Sequence, residues 1–284
     1  MNMKKIVAVF DGLNYNSSTE KFLIFIGEMI SAHVVAVFLD DPEYHSYKIY
    51  ELIAEDGVSG RIRKELDVRD QTSRLTQSKE LEGQLKALKL PYTIRHDSDN
   101  AIQDVVHESN FADLMIIFRQ ESFVSFKEKV PSRFIKKVLE NIHCPLLLVP
   151  YDFNPFNKII WLYDGRPSSI YAYKMFNYIF EDFLKLNTEV VNIHQGGESS
   201  TLPDENLLKE YMNRHAPQAT FKLMGGDVDS GLLPYLKSLS TDTLIVLGAF
   251  QRGRISRMIN TSLTDWILKN FDLPIFIAHR ADPN

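Results

Sequence analysis

Short apolar runs without polar alternation constrain this chain more than any other feature. Ile6, Val7, Ala8, Val9 and Phe10 form one such run, and Leu244, Ile245, Val246 and Leu247 another. A strand that is wet on one face alternates polar and apolar side chains. These runs do not, so they read as strands buried on both faces, as in a parallel sheet. Further runs lie at 34–39, 114–118, 145–149, 159–163 and 274–278. Between them stand segments of helical periodicity, the first carrying Phe22, Phe25, Ile26, Met29 and Ile30. Strands alternating with helices predict an α/β fold, with right-handed crossovers placing helices on both faces of each sheet.

The pattern runs twice. Asp113 precedes Pro145 by 32 positions, and Asp242 precedes Pro274 by the same 32. Phe38 to Asp113 spans 75 positions and His194 to Asp242 spans 48, so the first copy carries about 27 extra residues. They fall in the stretch 44–89, which is rich in Glu, Lys, Arg, Gln and Leu, with Leu81, Leu85 and Leu88 at helical spacing. This stretch predicts one or two helices, broken near Gly57 and Gly60. Residues 151–157 read as a linker. The expectation is two tandem doubly wound domains, 1–150 and 157–284, each with a five-stranded parallel sheet, the first with a helical insertion over about 44–89.

In open parallel sheets ligands lie beyond the carboxyl ends of the strands. Asp11 and Asp164 each end the first strand of a copy, and each is followed by a glycine, Gly12 or Gly165. Such an aspartate either meets a bound ligand or bonds its own backbone in a turn. The run ending at Gly248 leads into Gln251, Arg252, Gly253 and Arg254, and then Asn260, Thr261 and Ser262 open a helical pattern. A strand, a loop of backbone donors and a helix N-terminus make a common anion cradle. Arg252, Arg254 and Arg257 read either as phosphate ligands or as a solvated loop, and Ser262 as a phosphate ligand or an N-cap.

These positions resemble the universal stress proteins. That family carries an aspartate at the end of strand 1. After strand 4 it carries glycine, two residues, glycine, nine residues, then glycine and serine or threonine. The same spacing here reads Gly248, Gln251, Thr261 and Ser262, with Asp164 in the strand-1 position. The first glycine and the final hydroxyl match; the two middle glycines are replaced. The resemblance covers nearly the whole chain, in a tandem two-domain form. It implies an adenine nucleotide such as ATP, bound weakly in the second copy by Asp164, Gly165, Gly248, Gln251, Arg252, Gly253, Thr261 and Ser262. It also implies an intramolecular pseudo-dimer, with further oligomerisation left open. In the first copy the equal 32-residue spacing puts the motif on Arg119, Ser122, Ser132 and Arg133, none of them glycine. Glu121 beside them would repel phosphate. That site reads as degenerate.

Composition excludes several classes. A net charge of -5 and a pI near 5.9 favour no nucleic-acid partner. Cys144 is the one cysteine, which rules out an internal disulfide and fits a reducing, cytoplasmic setting. Residues 6–10 are too short for the roughly 7–15 apolar residues of a secretory signal, and no run nears the ~18 of a membrane span. The eight histidines form no close pair, so no metal is expected. Nothing assembles a nucleophile, a base and an oxyanion site. The expected function is a non-enzymatic cytoplasmic stress-response or regulatory protein. The alternatives are a nucleotide hydrolase or phosphoryl-transfer enzyme, and a ligand-free interaction module using the 44–89 stretch.

Overall fold

The computed structural model describes residues 3–39, 60–97, 100–181, 186–194, 201–226, 228–248 and 263–278. The chain divides into two compact units, Met1–His143 and Cys144–Asn284. Among the described residues, no helix is long and apolar enough to cross a membrane.

The first unit runs β1 (Lys5–Phe10), α1 (Ser17–Met29), β2 (His33–Leu39), α2 (Gly60–Ala87), β3 (Tyr92–Asp97), α3 (Ala101–Ser109), β4 (Leu114–Phe118) and α4 (Arg133–Asn141). Its strands are parallel in the order β3-β2-β1-β4, with Ile6 paired to Val34 on one side and to Leu114 on the other. Every side chain from Ile6 to Phe10 is buried, so both faces of the sheet are covered, as the unbroken apolar run requires. Asn16 caps α1 by accepting from the N–H groups of Ser18 and Thr19. The face of α1 that enters the core is Phe22, Leu23 and Ile26; Met29 points outward.

Helix α2 occupies the predicted insertion over 60–87; Gly57 and the rest of 40–59 lie outside the described residues. One narrow stripe of α2 is buried. It changes character along its length, from Asp70 and Ser78 to Leu81 and Leu85. The apolar end anchors the helix, and the polar end lies against the turn after β1. There Ser73 Oγ donates to the carbonyl of Gly12 at 3.3 Å.

The second unit contains β5 (Leu146–Val149), β6 (Lys158–Leu162), α5 (Pro167–Ile179), β7 (Asn187–His194), α6 (Glu205–His215), β8 (Thr220–Gly225), α7 (Leu233–Lys237), β9 (Thr243–Gly248), α8 (Leu263–Asn270) and β10 (Ile275–Ala278). A π-helical turn, Val228–Leu232, leads into α7. The strand order is β5-β10-β9-β6-β7-β8. All neighbours are parallel except β5 and β10, which run antiparallel with Leu147 opposite Phe276.

Within the second unit, β10-β9-β6-β7-β8 is the five-stranded parallel sheet expected of the 157–284 copy. Strand β5, the fifth of the first copy by its place in the chain, pairs antiparallel with β10. The unit boundary falls at Cys144, ahead of the 151–157 linker. In β5, Leu146, Leu147, Leu148 and Val149 are all buried. Beyond it, the linker is pinned by Tyr151, whose N–H donates to the Asp272 carboxylate at 3.3 Å.

Two glycines fix the approach of α5 to the sheet. A Cβ on Gly248 would stand 2.5 Å from the carbonyl carbon and oxygen of Ser168 and 2.6 Å from Ser169 N. Gly165 sits at φ +78°, and a Cβ there would meet Pro203 Cβ at 2.6 Å. Gly248→Ala must push back helix backbone, and Gly165→Ala must hold a left-handed conformation against a proline ring. Each is expected to cost about 1–3 kcal/mol, read as a lower urea midpoint at unchanged slope. An unchanged midpoint for Gly248→Ala would contradict this packing.

Candidate functional site

The carboxyl ends of β6, β7 and β9 frame the site in the second unit. Asp164 follows β6 and is exposed. Its Oδ1 accepts from the N–H of Arg166 at 2.9 Å, and its Oδ2 lies 3.8 Å from Arg166 Nε. The turn reading of this residue is thus realised, and its second oxygen faces solvent and a surface arginine. Gly165 makes the turn, and Gly248 lies under the first turn of α5. That turn is held by Trp161 Nε1, which donates to the carbonyl of Ser169 at 3.1 Å, and by Ser169 Oγ on the carbonyl of Arg166 at 2.8 Å. Trp161 also stacks on Tyr173 of α5 at 4.4 Å between ring centroids. Three of the eight sequence candidates, Asp164, Gly165 and Gly248, are therefore gathered around one helix start. Gln251, Arg252, Gly253, Thr261 and Ser262 lie outside the described residues.

Two residues at this end were not singled out by the sequence. Tyr163 donates from its hydroxyl to the carbonyl of Pro203 at 3.1 Å. Burial, and then the charges of Asp204 and Asp164, hold its phenol above the ordinary tyrosine range. Asn192 of β7 is 3% exposed and donates from Nδ2 to the carbonyl of Tyr163 at 2.7 Å. The available signal was an amide between two apolar residues, Val191 and Ile193. Among the described residues, no group of three His, Cys, Asp or Glu side chains could hold a metal ion.

The first unit has the same layout with different chemistry. Asp11 ends β1 at 2% exposure, and its Oδ1 accepts from the N–H of Leu13 at 2.8 Å. Gly12 lies under α2, where a Cβ would meet Arg74 Cγ at 2.6 Å. The four motif positions lie in and after the loop that follows β4. Arg119 is buried. Ser132 caps α4, accepting from the N–H of Ile135 at 3.1 Å and donating to the carbonyl of Glu121. The N–H of Arg133, where a bound anion would lie, donates to Glu128 Oε2 at 3.0 Å. Arg133 Nε holds Oε1 of the same carboxylate at 2.6 Å. The helix start that would cradle an anion already has one, supplied by the chain itself.

Two carboxyls in this unit are displaced in opposite directions. Glu121 is 3% exposed. Its loss of water, reinforced by the charge of Asp11, drives its pKa well above the usual range, against the N–H groups of Ser122 and Phe123 that oppose the rise. For Glu128 burial acts to raise the pKa. The hydrogen bonds from Arg133 and the charges of Arg133 and Lys136 outweigh it and hold the carboxyl below the usual range.

The signs lead to different pH behaviour. Glu121 holds its proton more tightly folded than unfolded. Its contribution is full below the ordinary glutamate pKa and is lost as pH rises through the elevated folded value. Glu121→Gln should therefore gain stability over wild type as pH increases above about 4.3, measured by denaturant unfolding across pH. A constant difference would contradict the buried ionisation. Glu128 behaves the other way, stabilising above the ordinary pKa and losing that effect as pH falls. Glu128→Ala should cost about 0.5–2 kcal/mol at neutral pH, as lost helix caps do, and less at pH 3.

The chain matches no family model. It is 17% identical over 293 residues to the universal stress protein Slr1230 of Synechocystis sp., covering 96% of this chain and 99% of that protein. Among solved structures it resembles a universal stress protein from Archaeoglobus fulgidus, with a TM-score of 0.65, 13% identity, 99% of this chain covered and 100% of the other. A Pseudomonas aeruginosa UCBPP-PA14 protein described as a universal stress protein gives 0.63 at 12% identity, with 98% and 93% covered. The resemblance read from the sequence thus extends along the whole chain, in sequence and in fold.

Proposed function

We propose that this chain is a non-enzymatic, cytoplasmic stress-response protein whose second unit binds an adenine nucleotide weakly. Its universal-stress-protein likeness supplies the functional class. One observation carries the choice of unit. The first unit fills its own helix start with Glu128, and in the register of the equal 32-residue spacing the second copy has Arg257 at that position. Residues 249–262 include Arg252, Arg254 and Arg257 and no acidic residue. Where the first unit supplies an anion, the second supplies cations that can receive one.

Weakness follows from Gln251 and Thr261. A side chain where backbone must approach phosphate costs about 1–3 kcal/mol, which is roughly 5- to 150-fold in affinity for each position. Backbone donors and the arginines offset part of this.

Calorimetry with Mg-ATP should show weak binding of one nucleotide per chain, without turnover. Asp164→Ala and Arg257→Glu should each remove the signal, and Asp11→Ala should leave it. Two equivalent sites, or binding lost only on Asp11→Ala, would overturn the assignment to the second unit. Steady release of phosphate by the wild type, absent from Asp164→Ala, would make the protein an enzyme.

A further inference from the structure

We infer that Asn192 reads the base of the bound nucleotide as a fixed hydrogen-bond acceptor, and so selects an amino-bearing purine over a 6-oxo purine. The inference rests on the nucleotide reading of the second unit and adds the residue that gives it specificity.

Asn192 and Tyr163 stand side by side where β6 gives out. The N–H of Tyr163 donates to the carbonyl of Val191 at 2.9 Å, and Asn192 Nδ2 donates back to the carbonyl of Tyr163 at 2.7 Å. Tyr163 adjoins Asp164, so the amide lies at the end of the sheet that carries Asp164 and Gly248. The second bond fixes which way the amide faces. Reversed, it would set a side-chain oxygen against a carbonyl oxygen at the same 2.7 Å, two acceptors with no proton between them. The remaining atom, Oδ1, is therefore an acceptor. It is buried and, among the described residues, accepts from nothing.

A buried acceptor without a donor is costly, and a ligand that brings a donor relieves the cost. One that brings another acceptor worsens it. The donor that distinguishes one purine from another is the exocyclic amine. Adenine carries an amine at the 6-position, while hypoxanthine carries a carbonyl there. A site built to accept a hydrogen bond rejects the analogue that lacks the donor more strongly than a purely apolar pocket can. Tyr163 acts as the positioning residue, since its carbonyl holds the amide in the one orientation that presents Oδ1.

The test compares ATP, purine riboside triphosphate and inosine triphosphate, which place an amine, a hydrogen and a carbonyl at the same ring position. Titrations followed by two-dimensional NMR suit weak binding and report the Asn192 side-chain amide directly. In the wild type ATP should bind roughly 10- to 100-fold more tightly than inosine triphosphate, with purine riboside triphosphate between them. In Asn192→Leu the three should converge to within about 3-fold, mainly through loss of ATP affinity. Inosine triphosphate binding the wild type as tightly as ATP would overturn the inference and leave the nucleotide reading standing. So would discrimination that survives in Asn192→Leu. Failure of all three to bind would sink the nucleotide reading and this inference with it. The wild-type comparison needs no variant, so it decides the matter even if Asn192→Leu fails to fold.

Discussion

Strands β1, β4, β6 and β9 present no polar face to water, so helices must lie on both sides of each sheet. The close seating of α5 on Gly248 is one local result of that demand. With both faces covered, polar side chains that do chemistry are left with the row of strand ends. Asp11, Glu121 and Glu128 gather at one such row, and Asp164 and Asn192 at the other. The fold thus determines where a ligand can sit before any residue determines which ligand it is.

Much of this is legible in the sequence because it depends on local periodicity. Helix α3 spans Ala101–Ser109, and Asn100 before it is a cap by residue type and caps it in fact, accepting from the N–H of Gln103. Strands β1 and β4 are bounded where the apolar runs begin and end. The inner face of α1 is less legible. Phe22, Phe25, Ile26 and Met29 fit a helical stripe, but Leu23 is buried and Met29 exposed, because the groove above β1 and β4 sets the rotation of the helix. The antiparallel pairing of β5 with β10 is not legible, since it joins residues far apart in the chain.

The candidate sites divide along the same line. The aspartates at the strand ends could be read from spacing. That Asp164 is exposed while Asp11 is buried beside Glu121 could not, because burial there depends on α2 and on the loop after β4. Glu128 carries no motif. Its importance comes from where the loop delivers its carboxylate, against the N–H and guanidinium of Arg133. Asn192 is visible as a polar residue between Val191 and Ile193, but its orientation depends on the carbonyl of Tyr163, just past the end of β6. The two copies share a similar frame, and charge at one helix start separates them. In the first unit an internal carboxylate satisfies the donors, and in the second the corresponding stretch is basic.

The central claim, that one cradle is self-filled and the other receives the nucleotide, is tested most directly by mapping where the nucleotide touches the chain. Irradiation with a photoreactive azido-adenine nucleotide, followed by peptide mass spectrometry, should label residues around 159–168, 187–194 or 249–262, and unlabelled ATP should compete. The account predicts no competed label within 111–141. Competed labelling of the first unit around Arg133, with the second unit left clean, would contradict it.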